Sequence, residues 1–402
     1  GGEALRCAVI GCGVGGMAAA LALSRRGHEV VLFEAFDTPR PLGSGLLLQP
    51  SGLRALEALG LSEAVLASGA PIYGVDGRNE RGRPVLAMRY ADWREGAFGL
   101  GIHRAALFDA LFQGLGGAGV ALRTGVRITG VREPERPVLI DAQGEAHGPF
   151  DLAVCADGHG SALRPLVRPD ARARPYRWGA VFANVRDEGR RFPGLLHQRY
   201  ERAQVMMGVL PIGRGPAGET DLCALFWSLP TSDHEAFLAG DLAAWRRRAT
   251  LLWPEAEGLI DQITGAEAFS RAAYRDVQAG RWSDGGLILI GDAAHGASPQ
   301  LGQGANLALI DAVELAARLD ETPGPVPRRL RRIQAIRRRQ TFAYQLISRW
   351  LTPLFQSDGR LGPWFRDQIF GPVSQWPGVR QMGALVLTGA LRFGRAPPGL
   401  KP

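Results

Sequence analysis

Six residues near the N-terminus, Gly11-Cys12-Gly13-Val14-Gly15-Gly16, restrict this chain more than any other stretch of it. They follow a short apolar run, Leu5 to Ile10, suited to a buried parallel strand. They precede an Ala/Leu-rich stretch, Met17 to Arg26, that reads as a helix stopped by Gly27. Glu29 to Phe33 then reads as a second strand running into Glu34, so the opening is a βαβ unit. In such a unit Gly11 permits the tight turn, Gly13 lets the backbone approach a pyrophosphate, and Gly16 lets helix and strand pack closely. Gly15 belongs to the same turn. The start of the helix offers unpaired N–H groups and a partial positive charge to a diphosphate. Glu34 is placed to accept a hydrogen bond from a ribose hydroxyl. Alone, the pattern does not separate NAD, NADP and FAD.

Composition narrows the setting. With 402 residues, 46% of them apolar, the chain can bury a large core divided over two or three domains. The formal net charge is +8, carried almost wholly by Arg, because Lys401 is the only lysine. Arg is spread along the chain and no zinc-finger or RNA-recognition pattern accompanies it, so nucleic acid is not the expected partner. The four cysteines, Cys7, Cys12, Cys155 and Cys223, form no CxxC pair and read as buried thiols in a reducing compartment. The seven histidines form no HExxH or other ligand cluster, and no metal is expected. Residues 7 to 23 have the small, apolar character of a signal-peptide core, but glycines interrupt them and no charged segment precedes them. No other apolar run reaches the ~20 residues that span a bilayer, and a cytoplasmic protein is expected.

Two further segments join a buried strand to a polar, glycine-containing turn. Leu152 to Cys155 leads into Ala156-Asp157-Gly158-His159-Gly160-Ser161, with Arg164 beyond. Leu287 to Ile290 leads into Gly291-Asp292-Ala293-Ala294-His295, then Pro299, Gly302, Gly304, Ala305 and Asn306 at the start of a helix. Asp292 is suited to bind a ribitol hydroxyl or to order water at a pyrophosphate, or to cap a helix. The helix N-terminus after Gly302 and Gly304 directs partial positive charge outward, and these small residues leave room for a flat ring. His295 reads either as a base or, more simply, as part of the turn.

These segments, in this order, resemble the DG and GD motifs of class A FAD-dependent monooxygenases, the group typified by para-hydroxybenzoate hydroxylase. The resemblance covers most of residues 5 to 320. It implies FAD as cofactor, with NADPH or NADH as a transient reductant bound near Asp157 to Arg164. It also implies that O2 and a small aromatic or hydrophobic substrate meet through a C4a-hydroperoxyflavin. By the same resemblance Arg104, at a helix start after His103, and Gln49, in Leu-Leu-Leu-Gln-Pro, contact the FAD, and Gly45 lies in a loop close to the flavin ring. A reductase or dehydrogenase of the same fold, or a non-catalytic flavoprotein subunit, stays open as an alternative.

The expected fold is α/β: a Rossmann-like FAD-binding domain (1–72, 98–174 and 271–327) with an inserted mixed-sheet substrate domain (73–97 and 175–270). A helical C-terminal region (328–402) completes it. Strands around His197 to Tyr200, Val205 to Val209 and Ala224 to Ser228 are expected to face the flavin with Met206, Met207, Phe226 and Trp227, or else to be core. No catalytic base is identifiable. The Arg-rich stretch Arg328 to Arg339 reads as a solvated helical face. The tail beyond it, with Trp350 and Trp364, is left as core packing, a homodimer contact or a peripheral membrane contact.

Overall fold

A computed structural model describes residues 2–38, 45–92, 94–158, 161–167, 172–202, 205–278, 280–294 and 304–339. Its opening unit is the expected one: strand β1 (Arg6–Ile10), helix α1 (Val14–Arg25) and strand β2 (Glu29–Phe33). Cys7, Ala8 and Val9 are wholly buried, which is why this strand is an unbroken apolar run and not an alternating one. Beside them lie β8 (Ala121–Arg123), β12 (Leu152–Cys155) and β19 (Leu287–Leu289), with the short β18 (Ser283–Asp284) at the edge. The six form one sheet in the order β18-β19-β12-β1-β2-β8, parallel except for the β18–β19 pair.

Helices cover this sheet. α1 packs against α4 (Arg104–Ala118) and α9 (Gly304–Glu321), and α9 also meets α2 (Pro50–Ala58). Their shared core joins Met17, Leu21, Leu56, Leu107, Leu111, Leu309 and Leu315. The Ala-rich face of α1 lets these helices approach closely. Helix α3 (Ser62–Ser68) and a small sheet of β3 (Gly45–Leu48), β7 (Gly99–His103) and β4 (Ala70–Ile72) complete this side. A three-stranded sheet of β9 (Ile128–Arg132), β10 (Val138–Asp141) and β11 (Ala146–His147) packs on the opposite face through Ile128, Leu139 and Phe150.

The second large sheet has seven strands in the order β17-β13-β16-β15-β14-β5-β6. They are β5 (Gly74–Asn79), β6 (Pro84–Arg89), β13 (Arg172–Arg186), β14 (Leu196–Glu201), β15 (Val205–Gly213), β16 (Leu222–Pro230) and β17 (Ser270–Gln278). All neighbours are antiparallel except β14 and β5. The short helix α5 (Arg164–Val167) precedes β13. After β16 the chain forms α6 (His234–Ala239), α7 (Leu242–Leu252) and α8 (Glu257–Ile260). The sequence reads His234 to Leu252 as one helix. The structure divides it at Gly240, where extended backbone (ψ −170°) ends α6 and Asp241 caps α7 by accepting from the Ala244 N–H.

Residues 326–339 form a further helix, α10. Leu330, Ile333 and Arg337 are its buried stripe, while Arg328, Arg331, Arg332, Arg338 and Arg339 are exposed. The solvated-face expectation holds for those five and fails for Arg337. The tail beyond 339 lies outside the described residues. Among the described residues no helix is long and apolar enough to cross a membrane. All four cysteines are free and buried, and burial raises the Cys7 and Cys12 thiols to about 12.

Candidate functional site

Three adjacent strands of the parallel sheet, β19, β12 and β1, end side by side, and each runs into one of the three turns. In the first turn the glycines do different work. Gly11 has φ +100°, and a Cβ there would lie 2.5 Å from the Ala156 carbonyl oxygen. A Cβ on Gly16 would lie 1.7 Å from the Gly11 oxygen. Both are glycines because backbone fills the space. Gly15 faces Ala308 on α9, where an added Cβ would come to 3.3 Å, so it serves helix packing. Gly13, the cap of α1, has nothing within 4 Å of that position. The open side of the turn is therefore at Gly13, where a diphosphate can reach the free N–H groups of the first helical turn.

Glu34 spans the mouth of this turn. Its carboxylate accepts from the Cys12 N–H at 2.7 Å and from the Phe36 N–H at 3.3 Å. A carboxylate has about four acceptor sites. Two protein donors leave it able to take a ribose hydroxyl as well.

The second and third turns are tied together by one buried side chain. The Arg164 guanidinium donates to the carbonyls of Ala293 (2.7 Å), Gly158 (3.2 Å) and Asp292 (3.4 Å). Ser161 donates its hydroxyl to Asp157 at 2.6 Å and accepts from the Arg164 N–H at 3.1 Å. Burial raises the Asp157 carboxyl above its ordinary value, with the Ser161 bond and the Arg164 charge opposing. Gly291 adopts φ +59° and donates its N–H to Asp311 of α9 at 2.9 Å. That carboxylate also takes the Arg337 Nε at 2.8 Å, and Arg337 Nη1 reaches Glu314 at 2.7 Å. Burial would drain the charge from Arg337, but Glu314 and Asp311 outweigh it and raise its pKa. Asp292 sits in a single 3-10 turn, Gly291–Ala293, its carboxylate 3.8 Å from where a Cβ on Gly304 would be. It thus faces the first residue of α9, where Gly304 and the half-buried Ala305 open the helix. Pro299, Gly302 and His295 lie outside the described residues, as do His159 and Gly160.

Gln49 and Asn306 meet at the same helix start, and both are fully buried. Asn306 accepts from the Gln49 N–H at 2.7 Å and donates to the Leu47 carbonyl at 3.1 Å. The Gln49 side-chain oxygen accepts from the Tyr90 hydroxyl at 2.5 Å, whereas its Nε2 is buried with no partner among the described residues. Leaving such a donor unpaired costs about 1–3 kcal/mol, and a bound ligand acceptor would pair it. With the open cradle at Gly13, this orphaned donor makes the residues present fit FAD. Arg104 is the first residue of α4 and half-buried. His103 caps that helix, its Nδ1 accepting from the Ala105 N–H at 3.0 Å and its Nε2 lying 3.1 Å from the Asn184 amide. Burial lowers the His103 pKa. Sequence reasoning does not assign Tyr90 or His103 to the site, and it names Arg164 only as the end of the stretch near which NAD(P)H is expected. The first two carry no sequence signal, while Arg164 stands inside the DG-like stretch itself.

Gly45 belongs to β3 and packs on the seven-stranded sheet: an added Cβ would lie 2.7 Å from Ile212 and 3.1 Å from Ala224. That contact identifies the face of the sheet turned toward β3, the strand that leads into Gln49. By strand alternation it carries Phe182, Met206, Gly208 and Phe226. The Phe182 and Phe226 rings are 5.8 Å apart, and Phe226 lies over Gly208, where a Cβ would come within 2.0 Å of the ring. Met207 and Trp227 follow the alternative reading and are core. They point to the other face and pack with Trp245, Leu252 and Ile260. His197 turns the same way: its ring meets Phe192 at 5.5 Å and Trp253 at 6.4 Å on that far side.

Comparison with known proteins identifies the family. A family model described as an FAD binding domain matches residues 4–324. The aurachin C monooxygenase/isomerase of Stigmatella aurantiaca is 28% identical over 383 residues, 91% of this chain and 94% of its own length. A putative 2-heptyl-3-hydroxy-4(1H)-quinolone synthase of Rhodococcus erythropolis is 30% identical, with 80% of this chain and 81% of that one covered. Among solved structures, HpxO of Klebsiella pneumoniae, complexed with FAD and uric acid, superposes with a TM-score of 0.80 at 22% identity. It covers 96% of this chain and 97% of its own, a likeness of fold.

Proposed function

Because the chain belongs to the FAD-binding family of class A flavoprotein monooxygenases, we propose that it hydroxylates a planar, largely apolar aromatic molecule at the expense of NAD(P)H and O2. The observation that carries this reading is the meeting of three turns, after β1, β12 and β19, beside a sheet face bearing Phe182, Phe226 and Met206. When bound, FAD supplies hydride acceptance and oxygen activation. The chain supplies the rest. Gly13 and the first turn of α1 receive the diphosphate, with Glu34 on the ribose and Arg104 adding positive charge. Asp292 holds the ribitol side. The N-terminus of α9, with Ala305 and Asn306, places N–H groups where negative charge develops on reduction, worth roughly 0.3–1 kcal/mol, or ~2 if partly buried. Phe182 and Phe226 hold the flat substrate and exclude water from the reacting atoms.

We assign the FAD-binding part to 1–72, 98–174 and 271–327, and the substrate part to 73–97 and 175–270. Residues 328–402 are the C-terminal region, and β13 and β17 carry the chain across the two boundaries near 174 and 271. The quinolone and aurachin chemistry in the relatives' names supports a fused bicyclic substrate. The test is direct. Purified protein should be yellow, and NAD(P)H oxidation with O2 uptake should rise on adding 4-quinolones more than on adding aminohydroxybenzoates, with one ¹⁸O from O2 in the product. A protein that cannot bind FAD, or turnover under nitrogen without oxygen incorporation, would overturn the proposal.

A further inference from the structure

The Gln49 carboxamide is held by a residue that directly follows an edge strand of the other large sheet. Tyr90 opens a short 3-10 turn directly after β6, and its own N–H donates to the Tyr73 carbonyl at 3.0 Å. Its ring is fully buried, and its hydroxyl is accommodated by Gly99, where a Cβ would lie 2.9 Å from the oxygen. Burial raises the phenol well above its usual pKa, only partly opposed by the Gln49 bond, so it remains a neutral donor. A phenol hydroxyl can donate or accept, and when it donates it engages the oxygen end of a carboxamide. Here the hydroxyl donates to Gln49 Oε1 at 2.5 Å, and the amide's two N–H groups are directed away from Tyr90, where they meet no acceptor among the described residues. The Gln49 backbone is meanwhile pinned to Asn306 at the start of α9. A Cβ on Gly52 would come within 2.1 Å of the Asn306 side-chain oxygen, so the glycine leaves that bond its room.

We propose that Tyr90 is a positioning residue that locks the Gln49 carboxamide with its N–H groups turned toward the FAD ring, so that a substrate-side element tunes the flavin. The inference rests on the FAD reading above. Without the hydroxyl the carboxamide can rotate by half a turn and present oxygen, an acceptor, to the same place. The ring system gains electron density on reduction, so a lost donor weakens the reduced form more than the oxidised one.

The experiment measures FAD affinity by calorimetry, the visible flavin spectrum, and the flavin midpoint potential for wild type, Y90F, Q49L and the double variant. Y90F is expected to weaken FAD binding about three- to tenfold and to shift the flavin absorption. An accompanying ~3- to 10-fold change in the oxidised-to-reduced affinity ratio lowers the two-electron potential by roughly 15–30 mV. In the Q49L background Y90F should have no further effect on potential, because Tyr90 acts through Gln49. If Y90F leaves spectrum and potential unchanged, or shifts them equally with Q49L present, the inference is wrong. Should FAD-free Y90F fail to melt cooperatively, G99A crowds the same hydroxyl while keeping the phenol and must move the potential in the same direction. Wild type failing to bind FAD would instead overturn the cofactor reading.

Discussion

Replacing Arg337 by Met tests how α10 holds the flavin-side turn. The guanidinium is 4% exposed and shared between Asp311 and Glu314, themselves 2% and 0% exposed. Removing one partner of a buried charge cluster costs about 3–5 kcal/mol, because the opposite charge is left uncompensated. Glu314 keeps a second cation, Arg318 at 3.3 Å, so the loss falls mainly on Asp311. Asp311 in turn accepts the Gly291 N–H, and Gly291 precedes Asp292. R337M should therefore lower unfolding free energy by about 3 kcal/mol and weaken FAD retention together. Urea unfolding of FAD-free protein and calorimetric FAD titration measure the two. Neutralising the Asp311 carboxylate reduces the imbalance: D311N keeps an acceptor for Gly291, so D311N/R337M should be more stable than R337M. If R337M stays within about 1 kcal/mol of wild type, or the double variant is less stable than the single, the charge-pair account is refuted.

Further predictions concern the turn, the flavin-side acid, the sheet faces and pH. Gly16→Ala places a methyl 1.7 Å from the Gly11 oxygen and should abolish FAD binding, whereas Gly13→Ala meets no protein atom within 4 Å, so any loss of affinity it shows reports the ligand itself. Asp292→Ala should weaken FAD retention without changing the far-ultraviolet spectrum; unchanged retention would remove Asp292 from the site. Trp227→Ala should cost about 3–5 kcal/mol of stability, while Phe226→Ala should chiefly alter substrate KM; a swap of those two outcomes would reverse the assignment of faces. Burial lowers the pKa values of His103, His197 and His234. Their folded values lie below the unfolded value of about 6.5, so the native state binds fewer protons and their stability is lost as pH falls below about 6.5. Urea midpoints between about pH 7 and 5 should fall, less steeply in His103→Asn.

The strands, helices and three turns around residues 5 to 320 were legible because their signals are local. A buried parallel strand needs a continuous apolar run, a diphosphate turn needs glycines at fixed steps, and a helix start needs small or capping residues. Gly11, Gly16 and Asp292 could be placed on that basis. Gly15 could not be distinguished as a packing glycine, since Ala308 approaches from a helix far along the chain. Nor could the two faces of the seven-stranded sheet be told apart, because both are apolar: Met206 and Met207 are neighbours in sequence, and only the helices packed on one side make one of them core. Arg337 reads as one arginine among many until α10 folds against Asp311. Tyr90 carries no pattern at all. By itself the sequence determined the features that short-range geometry dictates, the dinucleotide turn above all, and with them the family to which the chain belongs. Only the tertiary structure decided which side chains from distant strands meet there, because burial and hydrogen-bond pairing depend on contacts that sequence distance does not record.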